Sequence, residues 1–188
     1  MKIVVAMTGA SGAIYTQRLL DNLDPKKHEI HFISTKHARE VGQLELLKGE
    51  LKIAPTVIQY AEDGSMFVPF VSGSSQFDAM VVIPASMGTI GRVANGVSDT
   101  TVARAADVFL KERRKLIFVP RESPFNLIHL RNMATLVEAG ATIIPANPSF
   151  YNKPKTVTEV VDTIVARVLD HLGIEHRLVK RWQSGEPS

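Results

Sequence analysis

The sequence of 188 residues contains no cysteine. Disulfide bonds, thiolate nucleophiles and cysteine-ligated metal sites are therefore excluded. No apolar run reaches the roughly 18–20 residues that a membrane-spanning helix needs, and the amino terminus carries no cleavable signal pattern. We therefore expect a cytoplasmic protein without a membrane span.

An excess of charge of one sign is also lacking. The chain has 22 Lys and Arg residues against 19 Asp and Glu residues, a net charge of +3. Its densest basic stretch, Lys111–Lys115, is interrupted by Glu112. This balance argues against nucleic-acid binding and favours a small anionic ligand.

Short β-branched runs alternate with segments of helical periodicity along the whole chain. Lys2–Met7 is an apolar run typical of a strand buried on both faces, and it leads through a glycine turn into a helix. Further strands are predicted at 29–34, 53–60, 79–83, 116–119 and 142–144, with helices at 37–47, 99–113, 125–139 and 156–173. The pattern predicts one α/β domain with a parallel sheet covered by helices on both faces.

Small and polar loops follow five of the predicted strands. Parallel sheets bind ligands at the carboxyl ends of their strands, so these loops predict one shared site. The first loop has the strand–turn–helix form that presents backbone N–H groups to an anion. It lacks the full dinucleotide fingerprint and the lysine of a P-loop, and a plain connection with Ser11 as helix cap is the alternative. The loops are Thr8–Gly12, Thr35-Lys36, Ala85–Thr89, Pro120–Ser123 and Ala146–Tyr151.

In combination, the motifs of the chain resemble the flavin prenyltransferases, the UbiX-like family of flavoproteins. The resemblance covers almost the whole chain and implies a flavodoxin-like or Rossmann-like fold. It also implies a metal-independent enzyme that joins a dimethylallyl group to reduced FMN, giving the prenylated FMN used by UbiD-type decarboxylases. The motifs are Met7-Thr8-Gly9-Ala10-Ser11-Gly12, Ser72-Gly73-Ser74-Ser75, Pro84-Ala85-Ser86-Met87-Gly88-Thr89, Arg104-Ala105-Ala106-Asp107, Leu110-Lys111-Glu112-Arg113-Arg114, Val119-Pro120-Arg121-Glu122-Ser123-Pro124-Phe125, Phe150-Tyr151 and Arg181-Trp182.

The resemblance also assigns residues to the cofactor. Backbone N–H groups and hydroxyls suit the flavin phosphate and ring edge, and Arg121 adds a planar cation. Thr35 has a second interpretation as a helix cap, Met87 as a core residue, and Arg121 as the partner of Glu122 in a surface ion pair. The FMN-binding residues expected are Gly9, Ala10, Ser11, Thr35, Ser86, Met87, Gly88, Thr89 and Arg121.

The resemblance implies dimethylallyl phosphate as the donor. Fixed cations favour departure of an allylic phosphate by holding its developing charge. From helical spacing alone, Arg104 and Lys111 indicate a solvated face paired with Asp107, and Arg167 a snorkelling side chain. Trp182 would line the prenyl pocket or anchor the tail. The donor-binding residues that the resemblance implies are Ser72, Arg104, Lys111, Tyr151, Arg167 and Trp182.

Catalytic roles are expected for Ser11, Glu45, Lys111, Glu122 and Tyr151. The carboxylate of Glu45 or of Glu122 could move a proton or stabilise positive charge, and the departing phosphate is a further candidate base. Glu45 is equally consistent with a residue on the exposed surface of a helix. Met66 stands where some relatives carry tryptophan.

The resemblance implies a homododecamer with sites between subunits. Residues 1–174 form the expected FMN-binding domain, and 175–188 a tail that docks on a neighbouring subunit or stays loose. A cysteine-type decarboxylase of the related FMN fold and a non-catalytic flavin carrier are the alternatives. The Ser-Met-Gly-Thr loop, in place of an Asn-bearing loop, counts against the first.

Overall fold

Strands and helices alternate along the chain in the computed structural model, which describes residues 1–62 and 64–181. The strands are β1 (Lys2–Met7), β2 (Glu29–Ser34), β3 (Ile58–Ala61), β4 (Ala79–Ala85), β5 (Lys115–Pro120) and β6 (Thr142–Ile143). The helices are α1 (Ala13–Asn22), α2 (Lys36–Glu45), α3 (Met87–Ala94), α4 (Thr101–Lys111), α5 (Leu127–Glu138) and α6 (Val157–Leu172), with a 3-10 turn at Pro69–Val71.

The six strands form one sheet in the order β3-β2-β1-β4-β5-β6, and every neighbouring pair is parallel. The predicted α/β fold is confirmed. The strand order reverses at β1, which lies between β2 and β4, so the loops after β1 and β4 diverge to opposite faces of the sheet. This point is where doubly wound sheets bind ligands.

Strand β1 is buried on both faces, as its apolar run predicts. Ile3, Val5 and Met7 pack in a core cluster with α1 and α6. Val4 and Ala6 point to the opposite face and pack with α3 and α4. The alternation places one helical layer on each side of the sheet.

Strands β3 and β4 differ most from their predicted bounds, while β5 is one residue longer at each end and β6 ends one residue earlier. The prediction of a strand over 53–60 was wrong in its start, because Val57 N–H donates to the Ala54 carbonyl in a turn and pairing with β2 begins only at Ile58. Strand β4 was predicted to close at Pro84, yet it continues to Ala85. The ladder with β5 is irregular between Val82 and Ala85, so the missing N–H of proline is accommodated there.

The helices also differ from their predicted bounds, and α4, α5 and α6 are each one or two residues shorter at both ends. Helix α2 ends at Glu45 rather than at 47. Helix α3 begins at Met87, inside the predicted loop, because the Ser86 hydroxyl accepts the backbone N–H of Thr89 and caps the first turn. No helix among the described residues is long and apolar enough to span a bilayer.

Candidate functional site

A buried threonine joins the loops that follow β1 and β4. The Thr8 hydroxyl donates to the Pro84 carbonyl at 2.9 Å and accepts the backbone N–H of Ser86 at 2.7 Å. Thr8 is only 1% exposed, so both bonds are shielded from water. The side chain therefore fixes the Gly9–Gly12 turn relative to the start of α3. Sequence reasoning gave Thr8 no role.

The amino end of α1 is capped by a carboxylate from the end of α2. Glu45 Oε2 accepts the backbone N–H groups of Gly12 and Ala13, each at 2.8 Å. The Ser11 hydroxyl also bonds to this carboxylate, and Gly12 itself is the N-cap residue with no side-chain bond. The alternative of Ser11 as helix cap was therefore wrong, because Glu45 supplies the cap.

The same carboxylate lies beside a cation. Partial burial raises the pKa of Glu45, but the bonds from Ser11, Gly12 and Ala13 and the charge of Arg121 together hold it below its ordinary value. Glu45 is therefore ionised near neutral pH. Arg121 Nε donates to the Ser11 carbonyl at 3.1 Å. Across the described ranges 1–62 and 64–181, no carboxylate lies within ion-pair distance of Arg121, so the ion pair with Glu122 does not form.

Two further helices begin at this edge with side-chain caps. The Thr35 hydroxyl accepts the backbone N–H of Ala38 at 3.1 Å, which establishes the capping interpretation. The Ser86 and Thr89 hydroxyls bond to each other at 3.0 Å. Gly9 lies so close to α2 that a Cβ there would be 2.7 Å from the Cβ of His37. The edge is therefore a close-packed rim of backbone and hydroxyl groups.

The remaining residues expected at the cofactor site lie in the same loops. Ala10 and Met87 are each 8% exposed, so Met87 packs in the core as its second interpretation holds. Gly88 is exposed on the first turn of α3. Glu122 is also exposed, and its carboxylate accepts the backbone N–H of Ser123 at 2.9 Å. Glu122 thus follows Arg121 at the end of β5.

Ser72 and Lys111 lie at the opposite edge of the sheet. Lys111 ends α4 shortly before β5 begins, and its ammonium contacts the Glu112 carboxylate. A Cβ on Gly73 would clash with both side chains, so the Ser72–Ser75 loop packs directly against them. A six-residue strand is about 20 Å long, and β5 separates this group from Arg121. One subunit therefore does not bring Lys111 to the Ser11–Glu45–Arg121 group.

Arg104 projects from the first half of the same helix. Its guanidinium donates to Asp107 at 2.9 Å, so this half of the pairing expected from the spacing is confirmed. The other half was wrong, because Lys111 pairs with its neighbour Glu112 rather than with Asp107. The side chains of Arg104 and Asp107 are partly exposed, while Val102, Ala106 and Phe109 on the other side are buried. Arg104 thus lies on an outward face.

Tyr151 and Arg167 border a third region, a cleft of about 710 Å³ between the loop after β6, α6 and the carboxyl-terminal segment. Tyr151 is 81% exposed. Arg167 is 60% exposed, which agrees with the snorkelling interpretation, and its guanidinium also donates to Asp170 at 3.1 Å. Trp182 lies outside the described residues. The tail as far as Arg181 bonds to its own chain through Asp170.

The expected site residues thus fall into three groups, at the carboxyl edge, on α4 with the Ser72 loop, and on α6 with the tail. The Glu45 cap joins residues 32 and 33 positions apart, so spacing alone gave no signal for it. The Arg167–Asp170 pair has i,i+3 spacing on α6, whereas the bonds of Asp170 to His176 and Arg181 depend on the return of the tail against that helix. Within the described residues no cluster of three His, Asp or Glu side chains suits a metal ion.

Comparison with known proteins gives consistent matches over nearly the full chain. The model of the Flavoprotein family matches residues 1–169. The chain is 47% identical over 182 residues to a protein of Methanocaldococcus jannaschii named flavin prenyltransferase UbiX, covering 97% of this chain and 98% of that protein.

Two solved structures superpose closely. A dodecameric FMN-dependent UbiX-like decarboxylase from Escherichia coli O157:H7 has a TM-score of 0.89 and 41% identity, with 98% of this chain and 100% of that chain covered. AnUbiX (PadA1), solved in complex with FMN and dimethylallyl pyrophosphate, has a TM-score of 0.89 and 36% identity, with 98% of each chain covered.

Proposed function

This chain belongs to the UbiX-like flavin prenyltransferases of the Flavoprotein family, and from that premise we propose that it is an FMN prenyltransferase. The proposed reaction joins a dimethylallyl group from dimethylallyl phosphate to N5 and C6 of reduced FMN. The proposal rests on the contacts among Ser11, Glu45 and Arg121 at the carboxyl edge of the sheet. The same fold occurs in a relative that was solved with FMN and dimethylallyl pyrophosphate.

The residues at the carboxyl edge fit FMN. The Arg121 guanidinium has no carboxylate partner in the described chain and suits a phosphate or a ring oxygen. Hydroxyls of Thr35, Ser86 and Thr89 line the same rim, and the missing side chain of Gly9 lets α2 pack directly against it. The N–H groups of Gly12 and Ala13 are bonded to Glu45, so they are not the proposed phosphate donors.

The donor phosphate is proposed to bind cations from more than one subunit. Lys111 and Ser72 lie at the amino edge, while Arg121 lies at the carboxyl edge, so a neighbouring subunit must supply the first pair to a shared site. Arg104 lies on the outward face of α4, from which its guanidinium can reach a site on a neighbouring subunit. The relative from Escherichia coli O157:H7 is dodecameric. We propose a homododecamer for this chain.

Charge explains how these residues promote transfer. Lys111, Arg104 and Arg167, with the Tyr151 hydroxyl, stabilise the negative charge that develops as the allylic C–O bond breaks and phosphate departs with the bonding electrons. When bound, reduced FMN supplies the electron-rich N5 and C6 positions. The Glu45 carboxylate, ionised and bonded to Ser11, lies where it can stabilise positive charge or accept a proton. Glu122 is the second proposed proton acceptor.

The further assignments extend the same proposal. Prenylated FMN would pass to a UbiD-type decarboxylase in the cytoplasm, and the reaction would need no metal. Residues 1–174 would form the FMN-binding domain, and 175–188 the tail, with Trp182 at the prenyl pocket or anchoring the tail.

A direct assay separates this function from the alternatives. The protein is incubated with reduced FMN and dimethylallyl phosphate, and the extracted flavin is examined by mass spectrometry. A prenyltransferase adds one C5H8 unit to the flavin. A cysteine-type decarboxylase would instead release carbon dioxide from a peptide ending in cysteine, and a flavin carrier would return unmodified FMN.

A further inference from the structure

The Asp170 carboxylate, near the end of α6, accepts hydrogen bonds from three side chains. Its Oδ2 accepts Arg167 Nη1 at 3.1 Å. Its Oδ1 accepts Arg181 Nη2 at 2.9 Å and bonds to His176 Nε2 at 3.1 Å. One carboxylate thus joins a helix residue to two residues of the carboxyl-terminal segment 174–181.

The segment is held at further points. His176 has a side chain only 4% exposed, and its Nδ1 accepts the backbone N–H of Leu178 at 3.4 Å. Leu178 packs against the core cluster around α6, and Asn152 donates to the Lys180 carbonyl at 3.5 Å. The segment is therefore one wall of the 710 Å³ cleft, whose lining includes Tyr151, Arg167, Asp170, His176, Lys180 and Arg181.

The wall of the cleft formed by Arg167, Asp170 and Arg181 carries more positive than negative charge. Asp170 lies between two guanidiniums that line the same cleft and are 60% and 63% exposed. Partial burial raises the pKa of Asp170, but bonds from Arg181 and His176 hold it below its ordinary value, so the carboxylate is ionised. Among the charged residues that line the cleft, Arg167, Arg181 and Lys180 face the single carboxylate of Asp170, so the lining is net positive. Arginine forks match the oxygens of a phosphate.

We propose that Asp170 is a positioning residue that holds Arg167 and Arg181 side by side so that both guanidiniums bind the donor phosphate. The inference rests on the proposed function, because that function places an organic phosphate in this cleft. Without the carboxylate, the like charges of the two arginines repel each other, and segment 174–181 loses its bonds to α6.

Phosphate binding tests the proposal without requiring turnover. FMN-loaded protein, in which the flavin's own phosphate fills the other anion site, is titrated with inorganic phosphate by calorimetry. Asp170→Asn is expected to weaken phosphate binding by about tenfold, and Asp170→Glu to restore part of the affinity. Asp21→Asn, which removes an exposed partner of Arg18 on α1, is the control and should bind as wild type does.

Arg181→Met is a second test, which stays informative even if the Asp170 variants fail to fold. The Arg181 side chain is 63% exposed, so its replacement should not disturb folding. It should also weaken phosphate binding by about tenfold. Phosphate affinity unchanged in Asp170→Asn or in Arg181→Met would overturn the proposal, as would a wild-type protein that does not bind phosphate.

Steady-state kinetics distinguish positioning from anchoring. Asp170→Asn should raise KM for dimethylallyl phosphate while KM for reduced FMN is unchanged. Faster amide exchange in segment 174–181 with an unchanged donor KM would mean that Asp170 is only an anchor. Suppose that wild type binds phosphate and Asp170→Asn does not, yet the wild-type protein prenylates no flavin. The proposed function then fails, while the positioning role of Asp170 stands. If flavin is prenylated and the variant matches wild type, the positioning role fails.

Discussion

Glu45 Oε2 accepts the backbone N–H of Gly12 at 2.8 Å, so the last residue of α2 caps the first turn of α1. The contact joins residues 33 positions apart and brings an ionised carboxylate to the turn that follows β1. Because α1 and α2 begin at the same edge of the sheet, the cap also fixes the relative position of the two loops that we assign to FMN.

Glu45→Gln should lower thermal stability near neutral pH, because a neutral amide interacts less favourably with the amino end of a helix than a carboxylate does. The pKa of Glu45 is lower in the folded state, so its stabilising effect is present above its ordinary value of 4.5 and is lost as the pH falls through the folded-state value. The difference in Tm between wild type and the variant should therefore shrink in acid.

Thermal unfolding from pH 7 down to pH 3 measures this difference. Glu50→Gln, in the loop after α2, controls for the loss of one exposed acidic charge. A gap between wild type and Glu45→Gln that stays constant through the acid range would contradict the assignment of the cap.

Thr8→Val should destabilise the fold and loosen the rim of the site. The substitution keeps the shape but leaves the Ser86 N–H and one bond of the Pro84 carbonyl unmade in a buried place, which costs about 1–3 kcal/mol. Urea unfolding gives the free energy, and quenching of flavin fluorescence gives FMN affinity.

Thr8→Ser is the matched control, because it keeps the hydroxyl and removes one methyl group. It should retain FMN affinity close to that of wild type. Equal FMN affinity in the valine and serine variants would show that the clamp between the two loops does not support the cofactor site.

Arg121→Gln should weaken FMN binding by about tenfold or more, because a charged fork is lost from the rim. The unfolding free energy should change by less than about 0.5 kcal/mol, since the side chain is exposed. Lys27→Gln, in the turn before β2 at the opposite edge, serves as the control. Loss of stability with unchanged FMN affinity would identify Arg121 as structural.

Mixed oligomers test whether sites form between subunits. Lys111→Met and Arg167→Met should each be inactive alone. Co-assembled in equal amounts, they should regain activity at about a quarter of the sites, because a site that takes Lys111 from one chain and Arg167 from another is sometimes built from two intact residues. No activity above that of the separate variants would place both residues in one chain's site.

The sequence predicted those features that depend on local pattern. The apolar run of β1, the helices that cover both faces and the polar loops at the carboxyl edge follow from residue type and periodicity. The start of β3 was misplaced because a turn at Ala54–Val57 precedes pairing, and pairing depends on the neighbouring strand.

Residues that act through distant contacts could not be predicted in this way. Thr8 bonds to Pro84, near the end of β4, and to Ser86, just after that strand, which are 76 and 78 positions away. Asp170 had no role until its bonds to His176 and Arg181 were seen, because the return of the tail against α6 is a property of the packed chain. Its pair with Arg167 is local, at i,i+3 on one helix.

The bonds formed to the flavin test the central claim most directly. Dimethylallyl phosphate labelled with carbon-13 is incubated with the protein and reduced FMN, and the recovered flavin is examined by NMR. The account predicts one labelled carbon bonded to N5 and a second bonded to C6 in the wild-type product. Unlabelled FMN, recovered while the donor and the reductant remain intact, would contradict it.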